Sequence, residues 1–232
     1  MKKPLYYVLI FAISLLIWQH TEASYNGVLL KNAPIKKDVT LQSKKELENM
    51  VILPEESFDE DEVRAILYRL DHIPNILLQQ ADEQNIKVRL FQQNLTDFST
   101  TRHLKGVTPR GYTNTRKTWD DVPGIGGSKL VLVKIGHSEK GKGHGSVNLE
   151  LHELAHSLDR YVFNTMNDDI TFIPIWQKEA SLLFPGESYF IDYQEEYFAE
   201  TFAMYFLNLK TRKLLLKKAP MTYDYFKKLE SL

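Results

Sequence analysis

The segment His152-Glu153-Leu154-Ala155-His156 decides the reading of this 232-residue chain. Its two histidines stand one helical turn apart, so on a helix both imidazoles project from one face and can reach one zinc ion. Glu153 sits beside them, where its carboxylate can accept a proton from water at an open coordination position and later pass it to a leaving amine. A chance match to this pattern is expected in about one chain in a hundred of this length and composition. Catalytic zinc takes three protein ligands, so a third must be found. The extended pattern with a glycine and a third histidine fails, because Asp159 and Val162 occupy those positions.

The downstream carboxylates are Glu179, Glu187, Asp192, Glu195, Glu196 and Glu200. In Glu195-Glu196-Tyr197-Phe198-Ala199-Glu200, Glu196 and Glu200 are one turn apart on an aromatic-rich helical stretch. Such a pair can divide the work. Glu196 would bind the ion, while Glu200 would accept the remaining ring N–H of a ligating histidine, His152, and fix its tautomer. Spacing alone leaves Glu195 and Glu200 open as alternative ligands.

Composition agrees with an exported hydrolase. The chain is 43% apolar and 12% aromatic, enough to bury a full core. It holds no cysteine, which excludes disulfides, a thiol nucleophile and a lipid-modified cysteine. Any zinc site must then be built from His and carboxylate, the ligand set of catalytic sites. Lys2 and Lys3 precede an apolar run from Leu5 to Trp18, and Thr21-Glu22-Ala23 offers small residues at cleavage spacing. We read residues 1–23 as a secretory signal cleaved after Ala23. Removing it leaves 27 basic and 29 acidic side chains and a formal charge of −2, which implies neither nucleic acid nor an anionic membrane as partner.

Along the chain, residues 24–60 are lysine-rich with weak periodicity and read as a linker or as irregular first elements. Between Asp61 and Asn85, apolar residues fall at helical spacing, with Pro74 as a break. Ile86–Phe91 and Lys129–Ile135 read as two strands of a small sheet. Leu95 to Gly127 is loop-like and ends in Val122-Pro123-Gly124-Ile125-Gly126-Gly127. From Ser146 onward the pattern is helix after helix: Asn148–Val162, Ile173–Phe184, Asp192–Asn208, Lys213–Lys217 and Tyr223–Leu232. Strands followed by helices argue an α+β domain, with a small sheet packed on the active-site helix and a helical C-terminal half. There is no internal repeat and no phosphate-binding glycine motif.

These motifs together resemble the secreted proline-proline endopeptidases and the related catalytic domain of anthrax lethal factor. HELAHSLD resembles the family's active-site helix, and EEYFAETF resembles its third-ligand helix, where the glutamate before the aromatic pair binds zinc. The resemblance therefore selects Glu196 as ligand and Glu200 as its partner four residues on. It places Tyr189 at a catalytic tyrosine seven residues before the ligand, and a phenol there can donate to a developing oxyanion. It matches His144 to a histidine lining the site near the oxyanion, and Glu195 to a substrate-contacting glutamate. Lys117-Thr118-Trp119-Asp120-Asp121-Val122-Pro123-Gly124 resembles a loop whose lysine and tryptophan meet substrate, so Lys117 and Trp119 are assigned to binding. An indole face packs well on a proline ring.

The likeness extends over roughly residues 60–232 and implies a zincin-like, lethal-factor-like domain over 61–232. It further implies a monomeric extracellular zinc endopeptidase of gluzincin type acting on a proline-rich extracellular or cell-surface protein, cutting between two prolines. Two alternatives stand beside it. One is a toxin protease acting on a host signalling protein, although the large N-terminal docking regions of lethal factor have no counterpart here. The other is a zinc-stabilised module that binds proline-rich segments without cutting them.

Overall fold

The structure is a computed structural model that describes residues 27–111, 116–163 and 171–230. Residues 1–23, read from the sequence as a secretory signal, lie outside the described residues. The first elements are β1 (Val28–Leu29), α1 (Lys44–Met50) and β2 (Val51–Leu53). Two helices, α2 (Glu60–Leu70) and α3 (Asn75–Glu83), lead to β3 (Lys87–Phe91). A long irregular stretch then gives β4 (Gly124–Ile125) and β5 (Leu130–Lys134). The helical half comprises α4 (Leu149–Leu158), α5 (Phe172–Leu183), α6 (Ser188–Asp192), α7 (Gln194–Leu207), α8 (Leu209–Lys218) and α9 (Pro220–Glu230).

The five strands form one sheet in the order β1-β2-β3-β5-β4. The inner pairs β2/β3 and β3/β5 are parallel, whereas β1 and β4 run antiparallel at the two edges. Val88 and Leu90 of β3, and Val131, Leu132 and Val133 of β5, are buried, as expected for strands covered on both faces. The main core lies between the sheet and the helices, and a smaller cluster of Phe91, Leu95, Phe98 and Leu132 fills the other face. Only β3, by its alternation, and β5, as a short β-rich run, follow from the sequence. The other strands are two or three residues long, too short for a period-two pattern to register.

Residues 27–60 contribute β1, α1 and β2, and β2 is wholly buried in the sheet. The helical region after Asp61 is divided where Pro74 was expected to break it, with Asp59 capping α2 through the N–H groups of Asp61 and Glu62. Glu179, one of the carboxylates considered as a ligand, points instead at the start of α9. It accepts from Met221 N (2.9 Å), Thr222 N (2.8 Å) and Thr222 Oγ1 (2.8 Å), putting a negative charge at a helix N-terminus.

Two helices position the site. In α4, Asn148 accepts from Leu151 N–H at the N-cap, while Arg69 of α2 pairs with the fully buried Glu150 and donates to Ser138 Oγ. In α7 every residue from Glu196 to Phe206 is buried, so this helix is enclosed on all sides. Helices α4 and α7 pack along each other. A single turn of π-helix (Asp159–Phe163) follows α4 directly.

Candidate metal centre

Where α4 crosses α7, three ligand-type atoms converge. His152 Nε2 is 3.2 Å from His156 Nε2, and Glu196 Oε2 is 3.3 Å from the first and 3.4 Å from the second. A tetrahedral ion with bonds of about 2.0–2.1 Å requires its ligands to stand about 3.3–3.4 Å apart, so this triangle fits such an ion along all three edges. It is also the His/carboxylate group able to hold a metal among the described residues.

The remaining atoms of the three groups are held from behind. His152 Nδ1 faces Glu200 Oε2 at 3.1 Å, and Glu200 Oε1 accepts from Val147 N at 2.9 Å. In a metal-binding state the Nδ1–H of His152 donates to the Glu200 carboxylate, which leaves the Nε2 lone pair for an ion. Glu196 Oε1 accepts from Arg110 Nη2 at 3.0 Å. Burial opposes a charge on His152, but the Glu196 and Glu200 carboxylates at its two nitrogens outweigh burial and raise its pKa to about 10. Burial pushes the Glu196 carboxyl up, yet His152 and His156 hold it far below the usual carboxylate range. The pocket is thus built for positive charge.

Glu153, between the two histidines on α4, packs against β4 and the residue after it. Burial raises its carboxyl pKa, opposed by His152 and His156, and the backbone N–H of Gly126 donates to it. A carboxyl whose pKa is raised by burial is better suited than an ordinary one to taking a proton and returning it. The contact with β4 requires glycine. A Cβ on Gly126 would fall 1.9 Å from the Glu153 carbonyl oxygen, and one on Gly124 would meet Leu149 Cδ1 at 2.9 Å. Ser157 completes the seam, accepting from Gly127 N at 3.1 Å and donating to Ser128 O at 2.8 Å.

Tyr189 of α6 stands within hydrogen-bonding reach of the Glu196 carboxylate. Burial and then the Glu196 charge raise the phenol pKa, so it stays a neutral O–H donor. Gly111 lies flush on its ring, since a Cβ there would come 2.8 Å from Tyr189 Cδ2 and Cε2. The neighbouring Arg110 binds Glu195 at 2.7 Å and lies 4.0 Å over the Tyr193 ring.

The other expected residues sit as follows. Both ring nitrogens of His144 are engaged, Nδ1 with Ser146 Oγ at 2.7 Å and Nε2 with His137 O at 2.8 Å. Burial lowers its pKa, leaving a neutral imidazole. Trp119 is partly buried against the small cluster that also carries Ile125 of β4, and Lys117 is exposed. The sequence reading passed over Arg110, which is 86 positions from Glu196 and has no local pattern to mark it. It also took Gly124, Gly126 and Gly127 for a turn. Their role follows from the approach of β4 to α4, which no local pattern encodes.

A two-histidine helix crossed by a buried glutamate helix, under a sheet with an antiparallel edge strand, defines a lethal-factor-type domain. Residues 37–229 match the family described as anthrax toxin lethal factor, N- and C-terminal domain. Within that family the chain belongs with the Pro-Pro endopeptidases, a group of proteases. It is 42% identical over 183 residues to the Pro-Pro endopeptidase of Paenibacillus alvei, covering 79% of this chain and 84% of the relative. It is 40% identical over 205 residues to that of Clostridioides difficile, covering 87% of this chain and 92% of the relative. The solved structure of the Paenibacillus alvei enzyme superposes with a TM-score of 0.75 at 41% identity, covering 80% of this chain and all of the other.

Proposed function

We propose that this protein is a secreted zinc endopeptidase that cuts proline-rich protein substrates between two prolines. The observation that carries the metal reading is the triangle of His152, His156 and Glu196 with edges of 3.2–3.4 Å. The kinship with Pro-Pro endopeptidases carries the substrate class. The lysine-led apolar segment of residues 1–23 supports export. Among the described residues no helix is long and apolar enough to cross a membrane.

A zinc ion held by these three residues would supply Lewis acidity toward the substrate carbonyl and favour ionisation of the attacking water. The protein's own groups do the rest. Glu153 takes the proton from the water and delivers it to the proline nitrogen that leaves, so one carboxylate serves as base and then acid. The Tyr189 hydroxyl donates to the oxygen that becomes negative in the tetrahedral transition state. Glu200 keeps His152 in one tautomer, and Arg110 keeps Glu196 turned toward the histidines. Strand β4, the terminal strand of the sheet and beside Glu153, would suit an extended peptide added as a further strand. A proline-rich segment enters that edge already extended, with little conformational entropy to lose. Trp119, on the same small cluster as Ile125, would offer an apolar wall for a proline ring, and Glu195 and Lys117 would serve as polar contacts to the peptide. His144, held neutral between Ser146 Oγ and His137 O, would line the site near the oxyanion.

The decisive experiment is cleavage of a peptide library varied around a central Pro-Pro, with and without a chelator, read by mass spectrometry. Chelator-sensitive cutting between the prolines is the expected result. Cutting at other bonds would move the protein toward the toxin-like reading, and binding without cutting would make it a recognition module.

A further inference from the structure

The chain's near-neutral total hides a polar distribution of charge. Residues 209–232 hold seven of the 29 Lys and Arg but two of the 30 Asp and Glu, a formal +5 against −6 for residues 1–208. Helix α8 concentrates this charge. At 3.6 residues per turn its outer surface forms two adjacent rows, Leu209-Lys213-Leu216 and Lys210-Leu214-Lys217, with Lys218 beside them. The leucines are open to solvent, with Leu209 73%, Leu214 46% and Leu216 47% exposed, and the lysines are exposed with them. Leu215, fully buried, anchors the opposite face.

Single exposed leucines need no explanation, but four of the seven large exposed apolar side chains among the described residues fall between Leu209 and Met221. A soluble polyanion would engage the lysines and gain nothing from the leucines. A bilayer uses both: leucines enter the boundary between headgroups and acyl chains, while lysines bury their stems and keep their ammonium groups at the phosphates. We therefore propose that α8 is an interfacial docking face that seats this protein on an anionic lipid bilayer. The remaining negative charge is repelled by the same surface and orients the molecule. Helix α7 separates Glu196 from the start of α8 by about 20 Å, so docking through α8 leaves the metal centre free. Such contact is peripheral and does not need a spanning helix.

The test uses the chain from Ser24 onward, which keeps every described residue and omits the apolar segment 1–23, in cosedimentation with two kinds of vesicle. One is phosphatidylcholine alone and the other contains about one-third phosphatidylglycerol. The protein is expected to partition onto the anionic vesicles only, and to be released as salt rises from about 0.1 to about 0.5 M. Replacing Lys210, Lys213, Lys217 and Lys218 by Gln should weaken partitioning by about fivefold per lysine. Replacing Leu209, Leu214 and Leu216 by Ser should weaken it by about tenfold or more. Both variants change only exposed side chains, so thermal melting and cleavage of a soluble peptide should match the parent. Equal partitioning onto both vesicles, no partitioning, or a lysine variant that binds like the parent would overturn the proposal. So would a leucine variant that binds undiminished, which would reduce the face to a polyanion site. Self-association of the parent that both variants abolish would assign the face to a second copy of the chain.

Discussion

The substitution Gly126→Ala probes the seam between β4 and α4 more sharply than any change to a ligand. The added methyl would lie 1.9 Å from the Glu153 carbonyl oxygen, 2.7 Å from its carbon and 2.9 Å from its Cα, all backbone atoms that no rotamer change can move. To reach ordinary contact distance the strand must withdraw from the helix by about 1 Å or more. Overpacking of this kind costs about 2–3 kcal/mol, which for a chain of this length lowers the melting temperature by about 5–10 °C. The same shift withdraws the Gly126 N–H from the Glu153 carboxylate and moves the sheet edge, and a 1 Å misplacement at a reacting centre costs about a hundredfold in kcat/KM. Gly124→Ala should be milder, because its closest clash is with the rotatable end of Leu149 at 2.9 Å. Gly127→Ala has no neighbour nearer than 3.9 Å and pays only for its left-handed backbone (φ +74°), about 1–2 kcal/mol, with kcat/KM nearly unchanged. Thermal melts and steady-state cleavage of a Pro-Pro peptide on the three variants give the ranking. A Gly126→Ala protein that melts and cuts like the parent would refute the close approach of β4 to α4.

Three further outcomes follow from the site. Glu153→Gln should retain metal, read by chelator competition, while turnover falls about a thousandfold or more; full activity would remove Glu153 from the proton transfers. Tyr189→Phe should lower kcat about a hundredfold with little change in KM, and an unchanged kcat would reject the oxyanion role. Arg110→Gln leaves Glu196 Oε1 without its guanidinium partner, so metal affinity should drop about 10- to 100-fold in the same chelator competition; unchanged affinity would show that Glu196 orients itself.

Most of the helical half was legible because its longer helices repeat a 3.6-residue period, while the five-residue α6 left no such trace; β3 showed alternation and β5 a continuous β-rich run. Strands β1, β2 and β4, at two or three residues, exist through pairing with distant partners and leave no local trace. The candidate site divides in the same way. His152 and His156 announce themselves by sharing a helix; Glu196 and Glu200 share another, but the choice of Glu196 over Glu195 and Glu200 rests on the family resemblance and not on spacing. Arg110 and Gly126 act across the gap between elements, and only the fold brings them to the carboxylates they serve. Helix α7 shows the limit of pattern reading from the other side: burial around its whole circumference leaves no polar face, so Glu196 and Glu200 stand out there as charges in an otherwise apolar and aromatic helix.

That full enclosure of α7 bears on how such a protein can change over evolutionary time. Eleven consecutive buried residues leave almost no neutral path for the helix that presents Glu196, because nearly every substitution alters packing before it alters chemistry. Diversification is then confined to the parts that can drift without unfolding the domain or loosening the metal ligands, such as the surroundings of Trp119 and the outer surface of α8. Descendants of one ancestor would keep a common reaction and differ in what they cut and where they reside.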